Sequence, residues 1–268
     1  MKTRVISGAV LAVIMISSLL VGGWYLYALC LGISLVGLFE LYRVYGIDNK
    51  SIGVVGYLCT IVYYMFVSLG LEEYNMLIFV LGLLLVMTIY VITFPRFKTD
   101  QASIGFFGIF YVGVMLSYIY KVRMMEDGIF IVWLIFVSSW INDTCAYFTG
   151  VCFGKHKMAP VLSPKKSIEG AVGGILGATI IGFIIGLIVA PHMTGIKGGI
   201  SVTFAEAGFA GAVFAIIGDL AASAIKRNHD VKDYGKLIPG HGGILDRFDS
   251  VIFTAPAVFW AVTLINMI

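Results

Sequence analysis

Residues 218–250 read GDLAASAIKRNHDVKDYGKLIPGHGGILDRFDS, and this run decides how the chain is built. Three lysines, two arginines, two histidines and five aspartates fall within its 33 residues, in a chain that is otherwise mostly apolar. The run opens with Asp219 inside one apolar segment and closes with Asp246 and Asp249 entering the next. A solubilising loop needs charge, but it does not need carboxylates sunk into both flanking apolar segments. The stretch therefore reads as a catalytic loop at a membrane surface.

Working outward, the chain has 268 residues, 60% of them hydrophobic and 12% charged, with a mean hydropathy of +0.99. Soluble domains carry about a quarter charged residues, so that class is excluded. Apolar runs close to the roughly 20 residues that cross a bilayer recur along the chain. They are continuous and do not alternate with period two, which excludes an outer-membrane barrel. The fold expected is all-α, a polytopic integral membrane protein with nine spans: 5–21, 24–41, 52–70, 75–94, 103–120, 129–149, 168–190, 203–224 and 248–267. The first run follows Met1-Lys2-Thr3-Arg4, lacks a small-x-small cleavage site and reads as a retained helix. A single catalytic domain over 1–268 is expected, with N-terminal helices to about 128 and a catalytic half over about 129–268.

Lys and Arg counts orient these spans. With the N-terminus cytoplasmic, that side holds Lys2, Arg4, Arg43, Lys50, Arg96, Lys98, Lys155, Lys157, Lys165, Lys166, Lys226, Arg227, Lys232, Lys236 and Arg247, which is 15 of 18. Only Lys121, Arg123 and Lys197 lie opposite. The expectation is a protein of the cytoplasmic membrane, with loops 150–167 and 225–247 facing the cytoplasm. Small residues four apart (Gly170/Gly174, Gly173/Gly177, Gly182/Gly186) mark the seventh span for close helix packing, against a helix of the same chain or of a second protomer in a homodimer. The four cysteines, Cys30, Cys59, Cys145 and Cys152, have neither zinc nor disulfide spacing.

Asp143, Asp219 and Asp246 lie within or at the edge of spans, and at the centre of a membrane helix an aspartate costs about 2.5–3.5 kcal/mol on insertion scales. Such residues face a polar cavity or form a structural ion pair. Asp219, Ser223 and Lys226 follow i, i+4, i+7, one stripe on a helix, and Asp246 and Asp249 follow i, i+3 at a helix start, where anions are favoured. Two carboxylate faces of this kind suit a hard divalent cation such as Mg²⁺, which takes one or two protein carboxylates and completes its shell with water and phosphate. Pro239-Gly240-His241-Gly242-Gly243 bares backbone N–H groups as an anion nest requires, although most glycine turns are only turns. His241 is placed to bond a phosphate or transfer a proton, or to serve structure. The second polar loop repeats the theme, with Asn142-Asp143 before it and Lys165-Lys166 just ahead of a helix opened by Ser167. Its bland alternative is attraction of basic residues to anionic lipid, worth about 1 kcal/mol each. Neither a Walker A motif nor a Rossmann fingerprint is present.

Ser223-x-x-Lys226-Arg227, then Lys232-Asp233-x-Gly235, then Pro239-x-His241-Gly242-Gly243-x-x-Asp246-Arg247-x-Asp249 resembles the signature of the phosphatidate cytidylyltransferases, over 27 positions without a gap. Asn142-Asp143-Thr144-x-Ala146-Tyr147, Gly154-Lys155, Ser163-Pro164-Lys165-Lys166-Ser167-x-Glu169-Gly170 and the Lys2-Thr3-Arg4 opening resemble the family too. The resemblance implies transfer of a cytidylyl group from CTP to phosphatidate, with Mg²⁺, giving CDP-diacylglycerol and pyrophosphate. It implies metal at Asp219, Asp246 and Asp249, and catalytic roles for these three with Lys226 and His241. Ser223, Arg227, Lys232, Asp233, Gly242, Gly243 and Arg247, with Asp143, Lys165 and Lys166 on an opposite wall, would bind CTP and its phosphates. The partners expected are CTP, phosphatidate and membrane lipid, with no nucleic acid.

Three rivals stand beside this reading. An ion-coupled transporter would use Asp143 and Asp219 as a relay, but it predicts carboxylates near the midplane, and no internal repeat is visible. A CDP-alcohol phosphatidyltransferase should carry Asp-Gly-x-x-Ala-Arg, which is absent. A related cytidylyltransferase or lipid kinase acting on an isoprenoid or ether lipid differs only in apolar residues around the tail.

Overall fold

The computed structural model describes residues 2–196 and 199–267. Lys197 and the side chains of Lys2, Thr3 and Arg4, which entered the charge count and the resemblance, lie outside the described residues. The chain runs α1 (Lys2–Val21), α2 (Gly23–Val44), α3 (Ser51–Leu69), α4 (Asn75–Ile92), α5 (Thr99–Gly108), a π-helical stretch Ile109–Val114, α6 (Met115–Met124) and α7 (Gly128–Phe153). Two short strands follow, β1 (Lys157–Ala159) and β2 (Ser163–Ser167), then α8 (Ile168–Val189), α9 (Ile200–Asn228) and α10 (Leu245–Met267).

Among the described residues, eight helical segments are long and apolar enough to cross a membrane, and Ile6–Val21 adds a shorter apolar helix. The protein is an all-α integral membrane protein. Backbone groups in hydrocarbon have no water to bond, so a helix that satisfies its own N–H and C=O groups is the favoured solution. Large apolar side chains stay exposed, Leu84 at 59% and Ile188 at 66% among them, as hydrocarbon contact permits. The nine expected spans correspond to these helices with shifted ends. α7 runs to Phe153 and α9 to Asn228, so Lys226 and Arg227 ride on a helix rather than in a loop. The 150–167 segment departs from helical structure, because β1 and β2 pair antiparallel, Lys157 opposite Ser167 and Ala159 opposite Ser163.

The chain divides into two compact units, Met1–Ser117 with Val231–Arg247, and Tyr118–Asp230 with Phe248–Ile268. This partition differs from the halves expected from sequence. The 231–247 loop, written beside α9 and α10, clusters with the N-terminal helices.

In the first unit, fully buried Tyr42 on α2 organises the packing of α2, α3 and α5. Its hydroxyl donates to the Gly105 carbonyl at 2.6 Å. A Cβ at Gly56 would come within 2.1 Å of that hydroxyl, and one at Gly108 within 2.6 Å of the ring. The helix widens to π geometry at Ile109, one turn after Gly105, as happens where a side chain enters the carbonyl ladder.

In the second unit, α8 lies against both α7 and α9, and glycine is what brings them close. A Cβ at Gly173 would meet Thr149 at 2.4 Å, and one at Gly177 would meet the Cys145 sulfur at 2.5 Å, both on α7. A Cβ at Gly182 would meet the Phe204 carbonyl oxygen of α9 at 2.6 Å. The small-residue stripe therefore packs within this chain. Ser167 opens α8 as expected, its Oγ accepting from the Gly170 N–H at 3.1 Å.

Candidate functional site

In the second unit, Asp219 lies on α9 and its carboxylate forms an ion pair with Lys166, the penultimate residue of β2. Asp143 on α7 stands within electrostatic range of both groups. Two acids and a lysine, written in three separate elements, thus form one cluster. Beside it is a cavity of about 380 Å³ whose polar lining residues include Asn142, Asp143, Lys165 and Lys166. Tyr147, Val151, Met158 and Ile216 are among its apolar lining residues. Asn142 is buried and its Oδ1 has no protein hydrogen-bond partner.

The charged mouth of α8 is partly satisfied from within. Glu169 accepts from the backbone N–H groups of Lys155 at 3.1 Å and His156 at 3.2 Å, and contacts His156 Nδ1 at 2.6 Å. Ser167 Oγ and Glu169 therefore tie the hairpin to the first turn of α8, and they leave Lys165 exposed at the cavity. Ser223 and Lys226 continue the Asp219 stripe along α9, both half-buried, and Arg227 is exposed. Asp249 lies one turn into α10, its Oδ1 accepting from the Ser250 N–H at 2.8 Å. Its backbone oxygen occupies the space beside Gly218, where a Cβ would approach it to 2.6 Å.

The first unit holds the other predicted residues in the 231–247 loop. Ile238-Pro239-Gly240-His241 is a tight turn: the His241 N–H donates to the Ile238 carbonyl at 2.9 Å, and Gly240 has φ +79°. Proline at the second position and a positive φ at the third define a type II turn, which explains this Pro-Gly pair. An open basin of about 700 Å³ follows, lined by Lys232, Asp233, Lys236, His241, Gly242 and Arg247 among others. Ser7 on α1 donates to the Pro239 carbonyl at 3.0 Å and lies 3.1 Å from His241 Nδ1, so one imidazole nitrogen is held by the protein.

Asp246 is buried at 6% exposure, and its Oδ2 accepts from Tyr234 N–H at 2.8 Å and Gly243 N–H at 3.0 Å. The N–H groups of Ile244 and Leu245 go to another acid, Glu40 on α2. Much of the backbone that reads as an anion nest is thus bonded to the protein's own carboxylates. The basin's cationic side chains are left as its principal anion-binding groups. Sequence reading passed over Glu40, although its signal was the same as that of Asp143, a lone acid inside an apolar span.

Among the described residues, no three His, Cys, Asp or Glu side chains gather into a metal cage. Mg²⁺ asks for less, one or two carboxylates with water and phosphate, and the Asp143–Asp219 pair supplies hard oxygen donors of that kind.

A family model described as the cytidylyltransferase family matches residues 2–265. A phosphatidate cytidylyltransferase of Bacillus subtilis is 32% identical over 274 residues, covering 99% of each chain. Proteins of the same name from Staphylococcus epidermidis and Staphylococcus haemolyticus are 34% and 32% identical, each alignment covering 96% of both chains.

Proposed function

The chain belongs to the cytidylyltransferase family, and from that premise we infer how its residues make CDP-diacylglycerol and pyrophosphate from CTP and phosphatidate. The phosphate of phosphatidate is already anionic near neutral pH, so its attack on the α-phosphorus of CTP needs no dedicated base. The barrier lies in bringing one polyanion onto another. Catalysis is then a matter of positioning and of neutralising charge as it shifts to the leaving pyrophosphate.

One observation carries this reading for the second unit: the Lys166–Asp219 ion pair and Asp143 adjoin a cavity whose lining combines lysines with apolar side chains. That polarity matches a lipid phosphate, with its head at Lys165 and Lys166 and its acyl chains along Tyr147, Val151 and Ile216. Lys226 and Arg227 extend the positive stripe along α9. In the first unit, Lys232, Lys236 and Arg247 surround a basin suited to phosphate oxygens, with His241 anchored at its edge. Asp233 and Ser223 are proposed to orient CTP.

Carboxylates are the proposed ligands of Mg²⁺: Asp219, with Asp143 added by its proximity, and Asp246 and Asp249 by their spacing at the head of α10. When bound, the ion would screen the triphosphate and favour departure of pyrophosphate. Lys166 meanwhile pairs with Asp219 and orients its carboxylate. The loops are proposed to face the cytoplasm, where CTP is available. The glycines of α8 face α7 and α9, so they supply no argument for a second protomer.

Purified protein in detergent, given labelled CTP and phosphatidate with and without Mg²⁺, tests the reading. Labelled CDP-diacylglycerol should form only with the metal. Its absence under both conditions, or equal formation under both, would remove either the activity or the metal from the proposal.

A further inference from the structure

Glu40 has no place in the chemistry described so far, yet both of its carboxylate oxygens are engaged by backbone N–H groups. It lies one turn from the end of α2 and is only 3% exposed. Its two oxygens are divided between adjacent amides: Ile244 N–H donates to Oε1 at 3.0 Å and Leu245 N–H to Oε2 at 2.8 Å. These N–H groups lie at the start of α10, on the residue just before it and on its first residue, where no preceding helical turn supplies an acceptor. A side chain 204 residues away in sequence therefore caps α10 and places negative charge at the positive end of its dipole.

The loop is shaped around this carboxylate. A Cβ at Gly243 would lie 2.4 Å from both Glu40 oxygens, and one at Gly235 would lie 2.1 Å from Oε1. Contacts this short exclude any side chain, so both glycines leave room for Glu40. One turn further along α2, Arg43 donates from Nη2 to the Tyr234 carbonyl at 2.7 Å. Tyr234 and Gly243, the residues so held, are the ones whose N–H groups fix Oδ2 of Asp246. The path from Glu40 to Asp246 is two hydrogen bonds and one residue of backbone.

We propose that Glu40 is a positioning residue for the reaction: it holds the first turn of α10 and, through Gly243, the orientation of the Asp246 carboxylate. Glu40 is too deeply buried to meet substrate, so its effect on turnover passes through that turn. The proposal rests on the reading of Asp246 as a group that acts on the reacting phosphates or their metal. Glutamine at position 40 keeps the shape but halves the acceptors. Its NH₂ would oppose a backbone N–H and leave a buried donor unpaired.

The test compares Glu40→Gln, Glu40→Asp and Asp246→Asn in the full-length detergent-solubilised protein. For Glu40→Gln, kcat should fall about 10–100-fold, the range seen when the partner orienting a metal-site group is lost. The half-activating Mg²⁺ concentration should rise, with KM for phosphatidate unchanged. In metal-free protein, amide hydrogen exchange should accelerate at residues 243–245 while the remaining helices keep their protection. Glu40→Asp, which retains the charge, should recover part of kcat, and it carries the test alone if the glutamine variant does not accumulate. A loss of active protein with unchanged Mg²⁺ dependence would mean a purely structural role and overturn the proposal. Normal turnover in Glu40→Gln beside an inactive Asp246→Asn would overturn it while leaving the reading of Asp246 intact. Normal turnover in Asp246→Asn would remove that reading, and the role of Glu40 with it.

Discussion

Asp246 carries two duties that a single substitution can separate. Its Oδ2 accepts two backbone N–H groups and so shapes the 234–246 loop, while the proposed chemistry needs its charge. Asparagine retains one oxygen able to accept both bonds, so these two contacts to the loop can persist. Asp246→Asn should therefore lose at least about 100-fold in turnover, consistent with losing a charged group at a phosphoryl-transfer site. Its elution profile and melting temperature should stay close to those of the parent protein. Near-normal rates would show that Asp246 serves the loop alone. At the same scale, Lys166 and Asp219 are each about a quarter exposed, so their pairing contributes on the order of 1 kcal/mol or less to stability. The importance of that pair lies in orienting groups beside the cavity.

Among the elements, α8 is the one whose composition is explained by what it touches. Its glycines meet Thr149, Cys145 and the Phe204 carbonyl at distances that no Cβ tolerates. The Phe204 contact is with backbone, which cannot rotate aside. Gly182→Leu should therefore destabilise the second unit by at least about 1–3 kcal/mol, the usual cost of overpacking, and lower the melting temperature in detergent by about 5 °C or more. Gly32 on α2 provides the contrast, because a Cβ there meets nothing within 4 Å. Gly32→Ala should leave stability unchanged or raise it by about 0.5–1 kcal/mol through helix propensity. Equal melting temperatures for Gly182→Leu and the parent would refute the packing account.

For the whole molecule, orientation in the membrane can be read with the protein's own thiols. Cys30 and Cys59 are buried, Cys145 is half-buried and Cys152 is exposed at the end of α7, next to the β1–β2 hairpin. A membrane-impermeant maleimide should label Cys152 in inside-out vesicles and not in sealed right-side-out ones. Labelling with the reverse preference would invert the topology inferred from the distribution of lysine and arginine. Loss of labelling in Cys152→Ser would confirm which thiol reports.

Much of this architecture was legible in the sequence because hydrocarbon acts on residues one at a time. Each apolar run must be helical to satisfy its own backbone, and each buried acid must have a reason to be there. That logic singled out Asp143, Asp219 and Lys226 from composition and spacing, and it applied equally to Glu40. The motifs of the 142–170 and 223–249 segments likewise carried the family. Local sequence could not reveal the pairings: Lys166 with Asp219, Asp143 within range of both, and Glu40 with the amides of Ile244 and Leu245. These depend on the register and rotation of helices far apart in the chain, which many residues set together. Gly235 and Gly243 show the difference most directly. As letters, Gly243 belongs to a turn open to phosphate and Gly235 to the family's motif, and in the folded protein both give way to the carboxylate of Glu40. The sequence by itself determined a membrane-embedded helical cytidylyltransferase, because solvent and motif act locally. Which acid meets which donor was decided only by the tertiary structure, because that outcome depends on contacts no local stretch contains.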